Sequence, residues 1–291
     1  MELSYFCGEN DVNKTIKTVL KEQFKLSTRL LNKLKMMQKI SINQDIAMVN
    51  NAVKEGDRIV VSFDYDEEDG VIPQDGKIDI LYEDDWYLAV SKKAHLCVHP
   101  SSFHPDNTLA NYVKYYLNNR KKIRPVNRLD NGTSGICVFA KNEYAQEMFN
   151  YYRDEIVKEY LAIVEGVFEE KEGVINAPIS RKENSIIERH VDIENGQRAI
   201  THYKVEKEIM IGEKRCSIIK VWLETGRTHQ IRVHMAHLGH PILGDSLYGE
   251  KSQVIDRQAL HALKLSFLHP ILKQKITIES PLENDILLLT N

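Results

Sequence analysis

Three stretches carry side chains that do chemistry. The first, Val126-Asn127-Arg128-Leu129-Asp130-Asn131-Gly132-Thr133-Ser134-Gly135, sets a carboxylate beside a guanidinium, ahead of a glycine-rich turn into the apolar run Ile136-Cys137-Val138-Phe139-Ala140. A buried strand behind such a turn is a rigid wall on which a reactive carboxylate can be fixed, and the glycines let another molecule's backbone come close. Read alone, Asp-Asn-Gly is also ordinary turn chemistry. The second stretch gathers His229, His234, His237 and His240. A helical zinc site wants histidines one turn apart with a carboxylate base between them, as in His-Glu-x-x-His, and that element is absent; Gly239 and Pro241 end a helix there. The third, Gly244-Asp245-Ser246-Leu247, offers a serine beside a carboxylate, but it lies near the carboxyl end and no Asp-x-x-His follows it.

The elements that must position these groups are legible from periodicity. Residues 1 to 12 read as a weakly specified lead-in. From Asn13, Ile16, Val19, Leu20 and Phe24 recur on one helical face, and Ser27 reads as the N-cap of a second helix with Leu30, Leu31, Leu34 and Met37 inward. The outward positions of this pair carry Lys21, Lys25, Arg29, Lys33, Lys35 and Lys39 against Glu22 alone. Ile40-Ser41-Ile42-Asn43 alternates like a strand, and the Glu55-Gly56-Asp57 turn leads into another at Ile59-Val60-Val61. An acidic, turn-rich segment, Asp64 to Gly76, marks a boundary.

Beyond it, Ile78 to Lys93 reads as two strands around an acidic turn, Leu109 to Leu117 as an amphipathic helix, Asn142 to Arg153 as an aromatic-rich helix, and Ile156 to Gly166 as a strand with Lys158, Tyr160 and Ala162 on one face. An acid-free stretch with Lys114, Arg120, Lys121, Lys122, Arg124 and Arg128 leads into the Asp130 motif, where it can draw in a polyanion. Further strands and hairpin turns extend to residue 220, and Gln274-Lys275-Ile276-Thr277-Ile278 is a closing strand.

The arrangement over roughly residues 13 to 63 resembles the S4-type RNA-binding domain, although Gln38-Lys39-Ile40 stands where that family carries a Gly-x-Val turn. The resemblance implies that Arg29, Lys33 and Lys35 face RNA phosphates; such contacts give salt-sensitive affinity and little sequence choice. From about Ile78 to the end, Asn-Arg-Leu-Asp-x-x-Thr-Ser-Gly, Lys-x-Tyr-x-Ala, Gly-Arg-Thr-His-Gln-Ile-Arg-Val-His and Leu-Gly-His-Pro-Ile-x-Gly-Asp-x-x-Tyr-Gly, in this order, resemble the RluA-type pseudouridine synthases. In that light Gly-Asp-Ser-Leu matches the GDSL hydrolases by letters alone.

The resemblance implies Asp130 as the essential carboxylate, either nucleophile at the sugar or base in a glycal route. It assigns Arg232 as the counter-charge in a charge-assisted pair, Tyr160 as the ring that stacks on uracil and relays a proton, and Arg128 as the group that fills the flipped base's place. A leucine packs under the ring: Leu265, with Leu260 and Leu263 as alternatives. Arg227, His229 and Asn127 join the substrate-binding set, and Lys121, Lys122 and Arg124 the RNA approach. Asn127 stands where the family usually has His, which keeps hydrogen-bonding capacity and loses a titratable group; Lys92-Lys93-Ala94 stands where it commonly has Lys-Pro-Ala-Gly.

Composition sets the outer limits. With 291 residues, 42% hydrophobic and 28% charged, this is an ordinary soluble chain with material for one large domain or two smaller ones. A net charge of -3 excludes a uniformly basic surface and leaves room for a local RNA footprint. Cys7, Cys97, Cys137 and Cys216 have no paired spacing, so reduced thiols are expected, and with no signal-like or spanning segment the expected location is the cytoplasm.

The expected architecture is α+β: a catalytic domain over 78–291 with a mixed, mainly antiparallel sheet, a linker over 64–77, and a small α/β S4-like domain over 1–63. The expected activity is isomerisation of uridine to pseudouridine in RNA, without metal or organic cofactor, by a monomer. Large-subunit ribosomal RNA is the first expected substrate and transfer RNA the second. The alternative from another class is a non-catalytic RNA-binding or ribosome-assembly protein of the same fold, against which intact Asp130, Tyr160 and Arg232 argue.

Overall fold

A computed structural model describes residues 1–101, 104–118 and 122–290. The amino-terminal part packs two short helices on a four-stranded sheet. Thr15 caps α1 (Ile16–Phe24) and Ser27 caps α2 (Thr28–Met36), the Ser27 hydroxyl accepting from the Leu30 N–H at 3.0 Å. Leu30, Leu31 and Leu34 of α2 are fully buried, each contributing on the order of 2 kcal/mol. The sheet runs β1 (Glu2–Phe6), β4 (Arg58–Ser62), β2 (Ile40–Ile42), β3 (Asp45–Ile46). The expected lead-in is therefore β1, an edge strand paired antiparallel to β4 from Glu2↔Ser62 to Phe6↔Arg58. A strand whose partner lies so far along the chain leaves no local signature.

The acidic segment 64–77 is strapped onto the larger, carboxyl-terminal part. Asp69 pairs with Lys114 and accepts the Ile123 N–H at 2.6 Å, Glu67 pairs with Lys33 and Arg124, and the Asn111 amide donates to the Ile72 carbonyl at 2.8 Å. Glu67 and Asp69 are thus counter-ions, which is why an acidic run lies against the body. Phe63 stacks on Tyr144 at 5.2 Å and meets Trp86 edge-on, so one apolar core runs through both parts.

The large part is built on a ten-stranded sheet. In chain order it comprises β5 (Asp79–Glu83), β6 (Tyr87–Lys92), α3 (Leu109–Tyr116), β7 (Arg124–Pro125), β8 (Ser134–Ala140) and α4 (Glu143–Tyr151), then β9 (Val157–Glu165) and β10 (Glu172–Asn176). A small hairpin, β11 (Ile179–Arg181) and β12 (Arg189–Val191), precedes the long pair β13 (Ile200–Ile211) and β14 (Lys214–Leu223). α5 (Gln230–His237), β15 (Leu260–Leu268), β16 (Lys275–Glu279) and α6 (Asn284–Thr290) complete the chain. The main order is β10-β13-β14-β9-β15-β8-β6-β5, with β16 on β15 and β7 on β8. Every pairing is antiparallel except β15 with β8, so the sheet is mixed and mainly antiparallel, and the architecture is α+β.

That parallel junction positions the site. It consists of His261↔Ser134 and Ala262↔Gly135 alone, after which the strands part. Gly135 lies at φ +108°, and a Cβ there would sit 2.3 Å from the Ala262 carbonyl oxygen, so only glycine lets the strands meet this closely. Where they part, Asn127 takes over the exposed edge of β8: its amide donates to the Ile136 carbonyl at 2.9 Å and accepts the Val138 N–H at 2.7 Å. The carboxamide stands in for a peptide group.

Candidate active site

A narrow cleft between the parting strands, with a cavity of only about 10 Å³, is lined by Asn127, Ile136, Lys158, Tyr160, Ala262 and Leu265, among others. Tyr160 is buried on β9 opposite Ala262, and Lys158, two residues earlier, is opposite Leu265. Leu265 rather than Leu260 or Leu263 lines the opening.

Asp130 begins the turn that feeds β8, its carbonyl accepting the Thr133 N–H at 3.0 Å. Buried cations and an amide hold the turn from behind. Lys92 Nζ donates to the carbonyls of Asn131, Lys93 and Leu96 at 2.8–2.9 Å, Arg257 donates to the Gly132 carbonyl at 3.1 Å, and the Gln258 amide to Thr133 Oγ1 at 3.1 Å. The loop at Lys92-Lys93-Ala94 is thus shaped by one lysine donating to three carbonyls. Asp130 keeps a partly exposed carboxylate, whose negative charge adds to burial in raising the Tyr160 phenol pKa.

Arg232 comes from α5, whose start is pinned by Gln230. That amide accepts from the Arg227 N–H and Thr225 hydroxyl and donates to the Ile200 carbonyl and Thr201 hydroxyl, all at 2.8–3.0 Å. The pair with Asp130 is present, but it is not the guanidinium's shortest contact. Arg232 binds Asp245 in a fork, Nε to Oδ2 at 2.7 Å and Nη2 to Oδ1 at 2.8 Å, and reaches Asp130 Oδ2 through Nη1 at 3.4 Å. Burial opposes its charge, but the bonds to Asp245 outweigh this and raise its pKa. Gly244, at φ +76° with the Arg257 carbonyl 2.4 Å from where a Cβ would sit, turns the chain that carries Asp245.

His229 caps α5 in the left-handed region at φ 58°. Tyr248 holds it: the phenol oxygen accepts the Arg189 N–H at 2.9 Å and lies 2.8 Å from His229 Nδ1, while the Arg232 guanidinium sits 5.0 Å over the Tyr248 ring. With the tyrosine proton directed at Nδ1, the other imidazole N–H faces Asp130 Oδ2 at 3.8 Å. Burial first, with Arg232 adding, lowers the His229 pKa against the pull of Asp130, favouring the neutral ring.

Other expected site residues are placed differently. Asn127 lines the cleft, but both polar atoms of its amide are spent on β8. Arg124 is buried and pairs with Glu67, so it offers no exposed cation to RNA. Lys33 is held between Glu67 and Glu143, which turns it toward the larger part; Arg29 reaches Glu143 at 2.9 Å but stays exposed, as does Lys35. Arg128 and Lys122 are exposed; Arg227 is exposed while donating to the Arg198 carbonyl at 3.1 Å. Lys121 lies outside the described residues. His234 is spent on Thr201 and the Ala177 carbonyl, His240 on the Glu165 carbonyl. In the sequence Asp245 stands out only beside Ser246 and as a letter of Gly-Asp-x-x-Tyr-Gly, Tyr248 only as a letter of that motif, and Lys92 only as a loop residue.

The chain is similar to known proteins over most of its length. A family model described as RNA pseudouridylate synthase matches residues 86–237, and one described as the N-terminal domain of the RluD ribosomal pseudouridine synthase matches residues 7–59. YhcT of Bacillus subtilis, named an uncharacterized RNA pseudouridine synthase, is 39% identical over 98% of this chain and 95% of its own length. The ribosomal large subunit pseudouridine synthase D of Escherichia coli strain K12 is 30% identical over 98% of this chain and 92% of its own. Among solved structures, human RNA pseudouridylate synthase domain containing 1 superposes with a TM-score of 0.61 at 24% identity, over 75% of this chain and 86% of that one, a likeness of fold.

Proposed function

The chain belongs to the RNA pseudouridylate synthase family of RluA type, and from that premise we propose that it isomerises uridine to pseudouridine in large-subunit ribosomal RNA, with Asp130 as the reacting carboxylate. Arg232 is its cation and Tyr160 the platform for the base. The observation that carries this reading is the approach of Arg232 Nη1 to Asp130 Oδ2 at 3.4 Å, beside a cleft walled by Tyr160 and Leu265.

A uracil inside a stack is out of reach, so the nucleotide is flipped into the cleft at an unstacking cost of about a few kcal/mol. The C1′–N1 bond then breaks and its electron pair leaves with the uracil. Asp130 either adds to C1′ or takes the C2′ proton to give a glycal. The freed ring turns and C5 joins C1′ as the Asp130–C1′ bond breaks or, from the glycal, as the proton returns to C2′; the C5 proton is lost while N1 gains one, so that the product has the atoms of the substrate. Arg128, exposed two residues before Asp130, suits the space the base leaves.

Ribosomal RNA is favoured over transfer RNA by the match over residues 7–59 and by the name of the Escherichia coli relative. Such a substrate places the enzyme in the cytoplasm. Because Asp130, Tyr160 and Arg232 come from one chain, a monomer suffices.

RNA carrying tritium at uracil C5 tests the assignment. Asp130→Ala and Asp130→Asn keep the fold and release no tritium to water; release that persists in both variants removes Asp130 from the reaction. Mapping pseudouridines in ribosomal and transfer RNA of a deletion strain decides between the two substrates.

A further inference from the structure

We propose that the ammonium of Lys158 binds the uracil ring in the cleft and stabilises the negative charge the ring takes on leaving the sugar. This rests on reading Asp130 and Tyr160 as the uridine site. Lys158 shares the Tyr160 face of β9 and lines the same cleft. Three other inward lysines are all spent: Lys92 on three carbonyls, Lys114 on Asp69, Lys33 on Glu67 and Glu143. Lys158, half-buried, makes no hydrogen bond or ion pair among the described residues. The neighbouring Glu159 accepts from Trp222 Nε1 at 3.3 Å and pairs with Lys220 at 3.7 Å. Burial lowers the Lys158 pKa, and no carboxylate among the described residues pairs with it.

A desolvated cation without a partner costs stability, and its retention in a substrate cleft points to a partner that arrives with the substrate. The cleft selects the ring over a phosphate. Ile136, Ala262, Leu265 and the Tyr160 ring line it, suited to a flat base, and the polar lining residues Asn127, Glu159 and Lys264 are spent on β8, on Trp222 and Lys220, and on Glu279. The exposed Arg128 and Lys122, by contrast, lie where a solvated backbone can run. When C1′–N1 breaks, the electron pair goes to the uracil and spreads over N1 and both carbonyl oxygens. An ammonium donating to one of those oxygens binds the neutral ring modestly and the anion strongly, which is how a fixed charge accelerates a step.

The test combines single-turnover tritium release, RNA binding across a salt series and thermal unfolding for Lys158→Met, Lys158→Arg and Asp130→Asn. Methionine keeps the aliphatic stem and removes the unpaired charge, so Lys158→Met is expected to melt no lower than wild type, to bind RNA only about two- to threefold more weakly with the same salt slope, and to react about 100-fold more slowly. Lys158→Arg recovers part of the rate. A rate within threefold of wild type overturns the proposal, as does a loss of RNA affinity with a salt slope reduced by about one, the mark of a phosphate contact. So does a fall in melting temperature in both Lys158 variants that accounts for the lost rate. Tritium release surviving in Asp130→Asn would instead sink the reading of the site itself.

Discussion

Arg232 and Asp245 form a fork at 2.7 and 2.8 Å that leaves one guanidinium nitrogen, 3.4 Å from Asp130, for the cleft. Asp245 is 1% exposed, so the pair is a buried scaffold, and what reaches Asp130 is the edge of a cation already neutralised on its other side. Removing Asp245 strands that cation. Asp245→Ala is expected to lose about 3–5 kcal/mol in urea unfolding. Asp245→Asn, which keeps the shape, is expected to fold and to release tritium at least tenfold more slowly, because the guanidinium then swings onto Asp130. Wild-type turnover in Asp245→Asn would show that Arg232 is aimed without it.

The reach of the sequence differs by kind of information. Ser27, Asn142, the buried run of β8 and the face shared by Lys158, Tyr160 and Ala162 are local, and chain periodicity displays them. Asp130, Tyr160 and Arg232 stood out through ordered motifs. What stayed hidden depends on partners distant in the chain: β1 finding β4, Asp245 holding Arg232, and the Asn127 amide closing the edge of β8. Charge misled most. A lysine on a basic helix face reads as solvated until a buried glutamate from another element is brought against it, as Glu143 is against Lys33.

Glu143 supports a second prediction. Buried at the first turn of α4, it takes Arg29 and Lys33 from α2 and lies 4.0 Å from Arg124, so one carboxylate joins the amino-terminal part to the sheet. Glu143→Gln leaves these cations undercompensated and is expected to cost about 3 kcal/mol in denaturant unfolding. The same geometry separates two neighbouring lysines. Lys33→Met should lower stability with RNA affinity unchanged, and Lys35→Met the reverse. Equal losses of RNA affinity in both variants would return Lys33 to the RNA face.

The junction of β8 and β15 predicts how the fold responds to acid. His261, fully buried there, lies with Nδ1 2.8 Å from Ser134 Oγ and Nε2 3.4 Å from the Ser280 carbonyl. The neutral ring satisfies both, accepting from the serine and donating to the carbonyl. A second proton would force the serine away, and burial pushes the pKa down to about 4. An unfolded histidine takes up its proton near pH 6.5. Between these values the unfolded chain binds more protons, so stability rises with pH through the window. Equivalently, it is intact above about pH 6.5 and falls by about 3 kcal/mol by pH 4. Carboxylates add their own slope, so the measurement is a difference: urea midpoints from pH 7 to 4.5 for wild type and His261→Gln. The variant is expected to start less stable and to lose less on acidification, the curves converging toward pH 4. Parallel curves would mean that His261 titrates alike in the folded and unfolded chains, and that acid does not act on the fold through this junction.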